Sequence, residues 1–86
     1  MGIEDIEITD VYNYNNTVLV EGNNYTDYSC VLINGKEYAT EKISDRLLRV
    51  TGVKVKKDDI VVVAQKGEDK VELSRVSFTI KKQLKQ

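Results

Sequence analysis

The chain has 86 residues, 41% of them hydrophobic, with 13 basic and 14 acidic side chains for a formal charge of −1, no histidine, no proline and one cysteine. A chain of this size makes one domain that buries about 60–65% of its unfolded surface, with a stability on the order of 5 kcal/mol or somewhat more. Near-neutral charge argues against a nucleic-acid surface, no apolar run is long enough for a membrane-spanning helix, and one cysteine cannot staple a disulfide scaffold.

In chain order, Met1-Gly2 is set apart as a start sequence and the domain is placed at residues 3–80. Ile6 and Ile8 alternate with acids over Ile3 to Ile8, as in a first strand at a sheet edge. Asp10 to Asn16 reads as a turn-rich connection, because Asn13, Asn15 and Asn16 interrupt any regular pattern. Val18 and Val20 then share one face of an extended run while Leu19 and Glu21 share the other. Gly22, followed by Asn23 and Asn24, favours a corner over a continuing strand, and Tyr25 folds back over an edge of the core. Cys30-Val31-Leu32-Ile33 is apolar on both faces and so belongs at the centre of a sheet. Asn34-Gly35 is a type I′ hairpin signal, which returns Lys36 to Ala39 antiparallel to residues 30–33.

Further along, a brief strand is expected around Ile43, and Leu47 to Val50 forms another with Leu48 and Val50 inward. Val53 to Lys57 alternates valine and lysine as a half-buried edge would. Ile60 to Ala64 is a central strand, Gln65 to Lys70 with Gly67 a hairpin loop, and Val71 to Ile80 the last strand, carrying Val76, Phe78 and Ile80 in alternation. Lys81 to Gln86 is a polar tail. Turn signals recurring about every 8–12 residues, with no helical periodicity, predict an all-β antiparallel sandwich of about seven strands.

Gly22-Asn23-Asn24-Tyr25 followed by Ser29-Cys30-Val31-Leu32-Ile33-Asn34-Gly35 resembles the G-x-N-F … S-x-V-x-V-N-G run of the IPT/TIG family of immunoglobulin-like domains. Ser44 to Val50, Lys56 to Val63 and Leu73 to Thr79 are similar to its later strands, so that the resemblance spans roughly residues 3–80. The family's opening proline and glycine pattern is missing from Ile3 to Ile8, and Asp59 stands where a glycine-aspartate pair is usual. The resemblance implies an immunoglobulin-like fold and a non-catalytic module of a larger chain, in contexts such as cell-surface receptors, bacterial envelope proteins and certain transcription factors. The lysine- and asparagine-rich, proline-free composition with one cysteine suits a bacterial cell-envelope protein better than a disulfide-rich receptor. Asn24 to Gly35 with Leu73-Ser74 also resembles, more weakly, the C-terminal accessory domain of clostridial membrane-anchored sulfatase-fold, lipoteichoic acid synthase-like proteins. That likeness implies a place on the extracellular face of the envelope, packed on or positioning a catalytic domain of the same parent chain.

The residues offer little chemistry. General acid–base catalysis at neutral pH most often uses histidine, and Cys30 reads as a small buried hydrophobe without a base to activate it. The acidic pairs Asp58-Asp59 and Glu68-Asp69 fall in expected loops and read as solvated carboxylates. Neither a calcium loop nor a tetrahedral zinc set can be assembled. No catalytic, cofactor-binding or metal-binding residue is therefore assigned, and no cofactor is expected. The candidate interaction surface is aromatic: Tyr12, Tyr14 and Tyr28, lying in or near connections, could stack on an envelope glycan or anchor a protein partner. Tyr25 is expected instead to cap the core with its hydroxyl in water. Lys54, Lys56, Lys57, Lys81, Lys82 and Lys85 are interspersed with acids and read as a solvated set.

Overall fold

The computed structural model describes residues 5–82. The start sequence, Ile3 and Glu4 of the expected first strand, and residues 83–86 of the tail lie outside them. The strands are β1 (Glu7–Asn13), β2 (Thr17–Asn23), β3 (Ser29–Ile33), β4 (Lys36–Tyr38), β5 (Glu41–Ser44), β6 (Leu47–Thr51), β7 (Ile60–Lys66) and β8 (Glu72–Thr79). They form two four-stranded sheets, ordered β1-β2-β6-β5 and β4-β3-β7-β8, with every pairing antiparallel. This is the strand order of an immunoglobulin-like sandwich with one strand added beside the third. The count is thus eight rather than seven, and the additional strand is β4, folded back by the Asn34-Gly35 turn, whose φ angles of 51° and 87° fit type I′.

Three expectations need correction. Residues 10–13 continue β1 rather than forming a connection, because the asparagines behind them close a hairpin. Asn15 and Asn16 take φ of 49° and 66°, and the Tyr14 amide donates to the Thr17 carbonyl at 2.7 Å. A bulge at Thr9 shifts the pairing between Ile8↔Gly22 and Asp10↔Glu21. Val53 to Lys57 is no strand; the Asn13 amide ties Val55 down instead, donating to its carbonyl at 2.8 Å and accepting from its amide at 2.9 Å. The alternation there is real, with Val55 buried and Lys54 and Lys56 exposed, but it serves an extended link between the sheets.

The third correction concerns Gly22, which lies inside β2 and is buried. A Cβ there would overlap the Glu7 carbonyl and the Tyr25 ring and hydroxyl. Tyr25 is 2% exposed, and its hydroxyl donates to the Glu7 carbonyl at 2.8 Å instead of reaching water. The glycine therefore makes room for a tyrosine latch, while the corner falls at Asn24, with φ of 68°.

The core fills the space between the sheets. Val11, Val18, Val20, Leu48 and Val50 from one sheet meet Val31, Ile33, Val61 and Val63 from the other, with Val55, Ile80 and Tyr25 closing the ends. It is mostly β-branched, as suits pleated strands whose side chains alternate between core and solvent. β1 and β8 run side by side in the same direction at one flank. β1 starts at the pole holding Tyr25 and Gln65, and β8 ends at the pole holding the Asn15-Asn16 and Asn34-Gly35 turns.

Candidate interaction surface

The sequence-predicted tyrosines are divided between the two ends of the sandwich, Tyr12 and Tyr14 at the end of β1 and Tyr28 at the other. Tyr14 is 63% exposed at the β1–β2 turn. Tyr12 lies half-buried on the outer face of its sheet, where its hydroxyl donates to Glu21 at 2.7 Å; that hydrogen bond, followed by burial, raises its pKa. Tyr28 is 42% exposed in the β2–β3 connection at the opposite pole. A seven-residue strand separates the poles, on the order of 20 Å. The three side chains therefore do not form one patch.

Tyr28 has other company. With Asp27, Cys30, Glu37, Tyr38 and Lys66 it lines an open cleft of about 270 Å³. Lys42 pairs with Asp27 at 3.3 Å and Lys66 with Glu37 at 3.6 Å, while the Lys36 ammonium lies 5.3 Å from the centre of the Tyr38 ring. Cys30 borders the cleft half-buried on the outer face, not within the core as expected. Burial first, then the Glu37 carboxylate, pushes its thiol up to about 11, against a weaker opposing pull from Lys66. Such a thiol is a poor nucleophile.

The buried polar groups are hydrogen-bonded. Ser29 donates to the Gln65 carbonyl oxygen at 2.6 Å, and the Gln65 amide donates to the Thr26 hydroxyl. This network closes the pole beneath the cleft. At the other pole Asp59 is 8% exposed, which corrects its reading as a solvated carboxylate. It accepts from the Asn34 side chain at 3.0 Å and from the Lys56 amide at 2.9 Å, and Asn34 in turn accepts from the Ile60 amide. The Asn34 bond leads the causes that lower the Asp59 pKa, with Lys56 adding to it against the opposing effect of burial. Asp58, its neighbour, is exposed. Lys54, Lys56, Lys57, Lys81 and Lys82 are exposed too, and Lys85 lies outside the described residues.

One surface was not anticipated. The outer face of the β4-β3-β7-β8 sheet carries half-buried Cys30 and Leu32 on β3 opposite buried Ala64 and half-buried Val62 on β7, with Ile60 45% exposed at the strand end. Glu37, Lys66 and Arg75 border this stripe. Antiparallel sheets with one solvated face usually alternate apolar and polar residues; β3 and the first five residues of β7 do not. The signal was present in the unbroken apolar runs 30–33 and 60–64, which place half their side chains outside once the other half faces the core.

Among the described residues no helix could cross a membrane and no cluster of three or more His, Cys, Asp or Glu side chains could hold a metal ion. No family model matches the chain, and neither curated proteins nor solved structures gave a match.

Proposed function

We propose that the chain is a non-catalytic immunoglobulin-like interaction module that packs its β4-β3-β7-β8 sheet against another domain. The resemblances in the sequence suggest the setting: an accessory module of a larger protein on the extracellular face of a bacterial cell envelope, positioning a catalytic domain of the same parent chain. The observation that carries the reading is the apolar outer stripe of Leu32, Val62 and Ile60, bordered by charged side chains, which has the core-and-rim composition of a protein interface. The three buried polar residues, Ser29, Asp59 and Gln65, support it in a different way, since their hydrogen bonds hold strand ends together.

A photo-crosslinking side chain at Ile60 in the native cells tests the proposal. Adducts to another domain of the parent chain, or to a single envelope protein, are expected, with a control at Glu68 in the β7–β8 loop giving far fewer. Equal labelling from both positions would remove the sheet face as the contact.

The cleft favours a second reading, a carbohydrate- or protein-binding site, because Tyr28 offers exposed aromatic surface, flanked by the partly buried Tyr38, beside Asp27, Glu37 and Lys66. Under it, Tyr28→Ala abolishes pull-down on purified envelope glycans while Tyr14→Ala, at the far pole, leaves it unchanged. Equal loss in both variants would argue against the cleft.

A further inference from the structure

Among the described residues, four strand edges bound the sandwich, and three of them are blunted. β4 has three residues, β5 has four with a bulge at Ile43, and β1 is bulged at Thr9 and carries the acids Glu7 and Asp10. Such features discourage a further strand from pairing. β8 differs: it is the longest strand, with eight residues, and after an offset at Leu73 its pairing with β7 is regular from Ser74 to Thr79. That stretch contains one charge, Arg75, which already binds Glu72 of the same strand at 2.8 and 2.7 Å. Lysines appear only beyond the strand, at Lys81 and Lys82. Along this edge, where β1 lies beside β8, a crevice of about 140 Å³ opens between the sheets, apolar at Val11, Phe78 and Ile80 and rimmed by Asp10, Lys81 and Lys82.

We propose that β8 pairs antiparallel with β8 of a second copy, about a two-fold axis at Ser77, joining the two β4-β3-β7-β8 sheets into one. Side chains alternate, so only pairings that keep Val76 and Phe78 on the core-facing side of both copies preserve the sandwich. Centring the axis on Arg75 sets two guanidiniums opposite each other. Centring it on Val76 sets Phe78 against Ser74. An axis at Ser77 sets each Phe78 opposite Val76 of the other copy and each Arg75 opposite Thr79. Aromatic and β-branched residues are favourable cross-strand partners, and this alignment supplies that pair twice with no like charges opposed. The incoming strand also covers the crevice beside Phe78. An extended segment of a different protein would meet the same edge but would lack this self-complementary pairing, which makes a second copy the better occupant.

Sedimentation equilibrium of the chain up to about 1 mM should show a reversible monomer–dimer equilibrium of the weak class expected for a small interface. Ser77→Lys and Ser77→Glu, each at an exposed outer position, should each weaken the dimer by about tenfold or more through like charges on the axis. Mixing the two variants should restore association as a heterodimer. Circular dichroism melts matching the parent chain show that the variants fold. A chain monomeric throughout the range would overturn the proposal, as would a dimer that Ser77→Lys leaves intact. A monomeric chain that binds a strand-forming peptide along β8 would overturn it in favour of a foreign partner.

Discussion

Gly22 and Asp59 show how far a single side chain can be constrained in so small a domain. At Gly22 the obstacle to any larger residue is partly backbone, the Glu7 carbonyl, so relaxing Tyr25 alone cannot make room. Gly22→Ala should cost about 3 kcal/mol or more, or prevent folding, at or beyond the upper end for overpacked core sites because part of the obstacle is backbone. Tyr25→Phe, which leaves the ring and removes only the hydroxyl, should cost about 1–2 kcal/mol. If Gly22→Ala in a Tyr25→Phe background regains full stability in urea denaturation, the carbonyl is not the limiting contact. Asp59 gives a pH signature. Its folded pKa lies below the ordinary value of 3.8, chiefly through the Asn34 bond. The unfolded state therefore takes up the proton first: the contribution is complete at pH values above that ordinary value and is lost as pH falls through the lower, folded one. Asp59→Asn should lower neutral-pH stability by about 1–2 kcal/mol and flatten the acid limb of the stability curve below pH 3.8. An unchanged acid limb would show that Asp59 is not the group responsible.

Among the elements, the turns were the most uneven to read. Asn34-Gly35 gave away the β3–β4 hairpin because asparagine and glycine both tolerate positive φ. Asn15-Asn16 makes the same kind of turn, but with no glycine it reads as an interruption, which hides the last residues of β1 in an apparent connection. The central strands were legible because β3 and β7 are apolar on both faces, whereas their half-buried outer stripe could be seen only after the core had claimed alternate residues. At Gly22 a local signal for a corner and a need for space look identical in sequence. Of the tyrosines, Tyr28 was placed at a surface that has a cleft, but its neighbour Tyr38 comes from the β4 side and its distance from Tyr14 depends on the length of β2. The Asn15-Asn16 turn leads to a test at this scale. Asn16→Gly should stabilise the domain by about 0.5–1 kcal/mol, and Asn15→Ala with Asn16→Ala should destabilise it by about 1–2 kcal/mol per residue. Equal melting temperatures for all three would mean that the turn contributes nothing to holding β1 on β2.

For the whole molecule, the hairpins β1–β2, β3–β4, β5–β6 and β7–β8 are local, but the contacts that join them, β2 with β6 and β3 with β7, link distant parts of the chain. Folding dominated by such pairings is slow for the chain length, in about milliseconds to seconds. Stopped-flow refolding should show a phase in that window, and variants in the β2–β6 or β3–β7 contacts should slow it more than variants in β4. Completion within about 100 microseconds would mean that local hairpins carry the barrier. The flank formed by β1 and β8 sets how the domain would respond to load. Glu7 begins β1 at one pole and Thr79 ends β8 at the other, with the two strands pointing the same way. A pull between them runs along the strands. It loads the β1–β2 and β7–β8 hydrogen bonds together in shear, so the domain would yield at a higher force than a hairpin opened one bond at a time.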